Sequence, residues 1–186
     1  MTTAEQRALE DAAGHGAGRV DADAIRRALD ALPDPEIPVV SIVELGIVRE
    51  IVREADGWVV RLTPTYSGCP ATESIVDSVR EALRTLGASA RVEIVLAPAW
   101  TTDWIAPAAH EKLRAYGIAP PGCARSGVSV VDVRGISPLR RDGVVVPCPR
   151  CGSQRTSLTA QFGSTACKAL YRCEDCREPF DYFKPH

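Results

Sequence analysis

Two Cys-x-x-Cys pairs near the C-terminus, Cys148-Pro149-Arg150-Cys151 and Cys173-Glu174-Asp175-Cys176, constrain this chain more than any other feature in it. Each pair lets one tight turn present two sulfurs to a single ion at about 2.3 Å. The 21 residues between the pairs leave room for the two turns to close a tetrahedral thiolate site. Gly152, directly after the first pair, suits the positive-φ position such a turn requires. Zinc is the default ion, although four thiolates also suit an iron-sulfur cluster. The bland alternative is two redox or disulfide pairs.

The flanking residues support a metal-binding β ribbon. Leu158 to Phe162, Ala169 to Arg172 and Phe180 to Phe183 read as three short strands, broken at Phe162-Gly163-Ser164 and Glu178-Pro179. A segment of about 39 residues is too small to bury an adequate core, so the metal must supply much of its folding free energy. Cys167 lies outside both pairs. It reads either as a small buried hydrophobe or as a reserve ligand.

Composition bounds the rest. The chain has 186 residues, 45% of them hydrophobic, and a formal charge of −2, which argues against a dedicated polyanion binder. The last 39 residues carry six Lys or Arg and four Asp or Glu, too weak a basic face for a nucleic-acid ribbon. The N-terminus lacks a basic cluster followed by an apolar run, and no stretch approaches the length of a membrane span. Seven cysteines, mostly in paired spacing, fit a reducing compartment, so the expected location is the cytoplasm, with no membrane partner.

Upstream of the ribbon the pattern predicts an α+β domain. Residues 1–20 read as a mobile leader. A domain over 21–117 follows, then a connector over 118–146, then the ribbon over 147–186. Asp21 or Asp23 caps a helix bearing Ile25, Ala28, Leu29 and Leu32, which Pro33 and Pro35 end. Ile47 to Val52 and Trp58 to Leu62 form a hairpin around Asp56-Gly57. Ile75, Val76, Val79, Leu83 and Leu86 share a helical face, Val92 to Leu96 is a strand, and a last helix runs from Asp103 or Trp104 to about Tyr116. The order is helix, strand, strand, helix, strand, helix.

Three segments of this domain can carry chemistry. In Ser67-Gly68-Cys69-Pro70, Pro70 fits the first helical position and Cys69 the cap. There the sulfur would sit beside unpaired N–H groups that lower its pKa, giving a thiolate for a soft metal, or it would simply cap the helix. Asp34-Pro35-Glu36 places two carboxylates in a proline-stiffened turn, facing a metal or bonded to nearby backbone. Trp100-Thr101-Thr102-Asp103-Trp104 offers a threonine cap for the following helix, or a partner surface.

These segments together, Asp34-Pro35-Glu36-Ile37-Pro38 with Ser41 to Val48, then Ser67-Gly68-Cys69-Pro70, then Trp100 to Trp104, resemble the iron-sulfur assembly domain of MIP-eighteen and SufT-like proteins. The ribbon segments Cys148 to Ser153 and Phe162 to Cys173 are similar to the PaaD family, also called PaaJ. The resemblance implies a small mixed α/β assembly-like domain followed by a four-Cys zinc ribbon. It further implies an accessory, non-catalytic role in the phenylacetyl-CoA epoxidase system of aerobic phenylacetate catabolism. In that system a di-iron oxygenase receives electrons from a flavin and [2Fe-2S] reductase.

The chain itself has no Glu-x-x-His pair for a di-iron bundle and no Gly-rich dinucleotide loop. On this reading Cys69 is the transfer ligand for iron or an iron-sulfur cluster, Asp34 and Glu36 assist it, and Cys148, Cys151, Cys173 and Cys176 hold structural zinc. The partners are then subunits of the epoxidase, either the oxygenase or its reductase, with a homodimer also open. A stable structural subunit of the complex and a ribbon-type nucleic-acid adaptor are the alternatives. Family members often carry a cysteine near the tail, where this chain has Lys184-Pro185-His186, so a tail thiol is not available.

Overall fold

The computed structural model describes residues 20–122 and 145–185. All but Val20 of the expected leader and most of the expected connector lie outside them, as do Cys123, His15 and His186. Helix α1, Ala22–Asp30, begins where the Asp21 carboxylate accepts the Ala24 N–H at 2.7 Å. It buries Ile25 and Leu29, one turn apart on the same stripe. Strand β1, Val48–Glu54, then pairs antiparallel with β2, Gly57–Leu62, across a two-residue turn. Helix α2, Thr72–Thr85, carries the chain back so that β3, Ala90–Ile94, runs parallel to β2. The sheet order is β1-β2-β3, and α2 packs Ile75, Val79 and Leu83 into the core. A 3-10 turn at Thr102–Trp104 precedes α3, Pro107–Tyr116, which Gly117 ends with φ 92°.

The segment joining α1 to β1 is organised by its own polar groups. Ser41 and Glu44 cap each other: the Glu44 N–H donates to Ser41 Oγ and the Ser41 N–H to Glu44 Oε2, both at 3.0 Å. Gly46 has φ 70°, and a Cβ there would lie 2.6 Å from the Trp104 carbonyl oxygen, so only glycine fits. The Trp100 indole N–H donates to the Leu45 carbonyl at 2.9 Å, and the Ala106 N–H to the Glu44 carbonyl at 2.8 Å. The Ser41–Gly46 and Trp100–Trp104 segments are thus two halves of one clasp, far apart in sequence. Thr101 caps its turn through the Asp103 N–H at 3.0 Å.

The ribbon sheet has four strands where the sequence pattern suggests three. They are β4, Ile118–Ala119, β5, Thr156–Ala160, β6, Lys168–Cys173, and β7, Pro179–Phe183, in the order β4-β7-β6-β5. Residues 118–119 belong to this sheet and not to a connector: Ile118 and Ala119 pair in parallel with Asp181 and Tyr182. A two-residue strand is too short to leave a periodic signal.

This added strand joins the chain's two halves, and packing reinforces the joint. Ile118, Cys167 and Phe183 lie in the same buried cluster as Ile25, Leu62, Val79 and Leu113. Phe183, 1% exposed, meets Trp100 edge-on with ring centroids 6.0 Å apart. A second, smaller cluster under the metal turns contains Val146, Cys148, Cys173, Phe180 and Tyr182. Phe183→Ala is expected to cost about 3–5 kcal/mol in urea unfolding followed by tryptophan fluorescence. A loss below about 1 kcal/mol would show that the two halves do not share a core.

Candidate functional site

The two metal turns are built alike. In the first, the Cys148 N–H donates to the Ser153 carbonyl at 2.9 Å and the Gly152 N–H to the Cys148 carbonyl at 2.9 Å. Gly152 adopts φ 74°, as the sequence suggests. In the second, the Cys173 N–H donates to the Glu178 carbonyl at 3.0 Å, and Arg177 takes the equivalent left-handed position at φ 64°. All four sulfurs lie within 4.8 Å of one another, with Cys148–Cys176 at 3.8 Å and Cys151–Cys173 at 3.6 Å. A tetrahedral zinc with Zn–S near 2.3 Å sets its sulfurs about 3.8 Å apart, so the cage fits that ion.

As free thiols the four sulfurs compete. Burial opposes the Cys173 thiolate, but the N–H groups of Cys176 and Asp175 and the neighbouring thiols favour it, bringing Cys173 down to about 7. The Glu178 N–H favours the Cys176 thiolate, yet burial and the thiols of Cys173, Cys151 and Cys148 prevail and push it up to about 12. A cation in the cage relieves this competition by displacing the protons. Removing zinc with a chelator, or changing any of the four to Ser, should therefore unfold the ribbon in circular dichroism. Metal affinity should fall steeply as pH drops below about 7. A ribbon that keeps its structure when stripped of metal would refute this.

The expected transfer residues converge on the seam between the halves. Asp34 is 6% exposed, and its Oδ1 accepts the N–H groups of Glu36 and Ile37, both at 2.9 Å. Burial pushes this carboxyl up, and the Glu36 charge adds to that, against the two N–H donors and Lys168. The loop is closed by the Asp34 N–H donating to the Val40 carbonyl at 2.9 Å. One Asp34 oxygen, Oδ1, therefore organises the turn.

Cys69 does not cap α2. Its N–H closes a turn onto the Tyr66 carbonyl at 3.2 Å, a further turn through Pro70 and Ala71 intervenes, and the helix starts at Thr72. The Cys69 carbonyl instead accepts the Thr72 hydroxyl at 2.8 Å. The expected depression of its pKa is also reversed. Burial pushes the thiol up, helped by the Asp34 and Glu36 charges, and outweighs the Ala71 N–H and the Thr72 hydroxyl. Cys69 is half-buried and rests as a neutral thiol.

From the ribbon side come two residues whose place here no sequence pattern announces. Lys168, 5% exposed at the start of β6, reaches 3.5 Å from the Glu36 carbonyl and 3.6 Å from the Asp181 carboxylate. Cys167 is buried in the larger core, away from the metal turns, with its sulfur 3.0 Å from the Thr165 hydroxyl. Tyr66 stands among them: burial raises its phenol, and the charges of Cys69, Cys167 and Glu36 raise it further. A cleft of about 480 Å³ opens beside the seam, lined by Glu36, Tyr116, Ile118, Lys168, Phe180 and Asp181.

Comparison with known proteins follows this two-part geometry. A family model described as "PaaD zinc beta ribbon domain" matches residues 136–184, and one described as "Iron-sulfur cluster assembly protein" matches residues 22–94. The chain is 52% identical over 157 residues to a putative 1,2-phenylacetyl-CoA epoxidase subunit of Escherichia coli strain K12, covering 84% of this chain and 88% of the relative. The chain belongs to the PaaD family. Its assembly half alone is 40% identical over 82 residues to the "Fe-S protein maturation auxiliary factor YitW" of Bacillus subtilis strain 168, covering 42% of this chain and 79% of that one. A solved DUF59 domain from Bacillus anthracis, of unknown function, aligns at TM-score 0.46 with 29% identity over 49% of this chain and 89% of its own. The PaaD ribbon carries the four-thiolate site, and the assembly domain carries Cys69, Asp34 and Glu36. Among the described residues no helix is long and apolar enough to cross a membrane.

Proposed function

We propose that this PaaD-family protein is a non-catalytic maturation factor of the phenylacetyl-CoA epoxidase system. It assists iron or iron-sulfur centre assembly in the oxygenase or in its flavin and [2Fe-2S] reductase. The observation that carries the reading is the site at Cys69. A half-buried neutral thiol stands among the Asp34 and Glu36 carboxylates, inside the half of the chain that matches an iron-sulfur assembly family.

The chemistry follows from the charges. Carboxylates that disfavour a bare thiolate favour an incoming cation, so Cys69 gives up its proton only as a metal–sulfur bond forms. The site then grips cargo and stays quiet without it. Asp34 and Glu36 draw the cation in, and the turn that Asp34 holds keeps the two carboxylates in place. Zinc held by Cys148, Cys151, Cys173 and Cys176 supplies rigidity, fixing the ribbon that buttresses the seam. The cytoplasm suits this work, since its reducing poise keeps the cysteines as thiols. The E. coli relative is named as part of an epoxidase, which favours a second reading, a stable structural component of the epoxidase complex.

Cys69→Ala should leave folding and zinc content nearly unchanged while abolishing maturation. Cells carrying only that variant should fail to grow on phenylacetate, and the oxygenase or reductase purified from them should be short of iron. Wild-type growth with fully iron-loaded partners would remove Cys69 from the mechanism.

A further inference from the structure

Strand β3 ends the assembly domain's sheet with an open edge. It pairs with β2, and among the described residues no other strand pairs with its far side. The Trp58 N–H donates to the Ser89 carbonyl and the Val95 N–H to the Leu62 carbonyl, both at 2.8 Å, so the odd-numbered residues turn their backbone groups toward β2. Successive residues of a strand point opposite ways, and Ala90, Val92 and Ile94 therefore turn theirs outward. Such a row of donors and acceptors is a template for a further strand.

The side chains of this edge divide by face. Val92 and Ile94 lie beside the buried Val60 and Leu62, yet Ile94 is 42% exposed and Leu96, just beyond the strand, 56%. The opposite face is charged. Arg91 donates through Nη2 to Glu54 at 2.6 Å and through Nε to Glu93 at 2.8 Å, and Glu93 also accepts from Arg61 at 3.1 Å. Among the described residues the third guanidinium nitrogen of Arg91, Nη1, has no hydrogen-bond partner.

We infer that a second copy of this chain docks on this edge, with the two β3 strands antiparallel about a two-fold axis at Val92, so that two three-stranded sheets become one sheet of six. The axis sets Val92 opposite Val92, where the outward N–H and C=O of each copy exchange hydrogen bonds. Arg91 of each copy then faces Glu93 of the other, a complementary cross-strand pair made twice, with Nη1 available for it. On the apolar face Ile94 of each copy meets Ala90 of the other, and Leu96 is carried toward Ala88, so the exposed side chains of the edge leave water. Charge also selects the register. An axis at Arg91 or at Glu93 would set like charges against each other. The pairing uses none of Cys69, Asp34, Glu36 or the four cage cysteines, so it stands independently of the transfer reading. A strand of five residues makes a short joint, and the dimer is expected to dissociate on dilution.

The test is analytical ultracentrifugation of the full-length, zinc-loaded protein over a series of concentrations. Wild type should pass from monomer to dimer as concentration rises. Val92→Pro removes an outward N–H at an edge position that tolerates proline, and should leave a monomer with unchanged circular dichroism. Arg91→Glu and Glu93→Arg should each weaken dimerisation about tenfold or more, because each sets like charges across the joint twice. Mixed in equal amounts, these two variants should form a heterodimer as tight as the wild-type dimer, seen at its own mass by native mass spectrometry. A change of fold within one chain cannot give that rescue.

A wild type that stays monomeric at every concentration would overturn the proposal, whether the edge is then open or takes a strand from a different protein. So would a dimer that persists in all three variants, since it would use another face. Failure of the two charge variants to pair on mixing would overturn it as well. Should Val92→Pro fail to fold, the charge variants and their mixture decide the matter.

Discussion

The seam between the two halves rests on the burial of Phe183 and Cys167 from the ribbon in the core of the assembly domain, beside the pairing of β4 with β7. A ribbon of this size has little core of its own, and its smaller cluster is built mainly around the metal turns. It is therefore held at two ends, by the four-cysteine metal cage at one and by the neighbouring domain at the other. Strand β6 spans the two. Cys173, one of the four cage thiols, closes it, and Lys168 opens it at the seam, a separation of about 17 Å along the strand. Loss of the metal should thus be felt at the Asp34 loop, which Lys168 touches.

The electrostatics at the seam have a consistent sense. Asp34, Cys69 and Cys167 all have their pKa raised, with burial the leading cause at each. Like charges placed together in a partly dry site resist ionising one by one. A cation removes that resistance for all of them together. Under the proposed function, the same arrangement keeps the thiol protonated at rest and receives a metal cation when one arrives. From the ribbon, Lys168 brings a positive charge beside this group. It lowers the charge cost at Asp34 and Cys167 without being able to ligate.

Much of the fold was legible in the residues, and the reasons are local. Asp21 caps α1, the hairpin turns between Glu54 and Gly57, and Gly152 takes its left-handed φ because each is decided within a few residues. The four thiol ligands were legible because spacing alone puts two sulfurs on one turn. What the sequence hid is non-local. Strand β4 has only two residues, Cys69 is separated from its helix by an extra turn, and the charges that raise its thiol come from a loop more than thirty residues earlier. The second metal turn uses Arg177 in a conformation that glycine usually supplies. Lys168 in an apolar run gives no sign that it is buried against Glu36.

The central claim is that this protein acts before turnover and not during it. The most direct measurement is the activity of the purified oxygenase and reductase, matured in cells that contain this protein and then separated from it completely. The account predicts full activity without it, and an iron-poor, inactive partner from cells that lack it. If fully metal-loaded partners made without it regain activity merely on its addition, it works as a component of the reaction and the account fails.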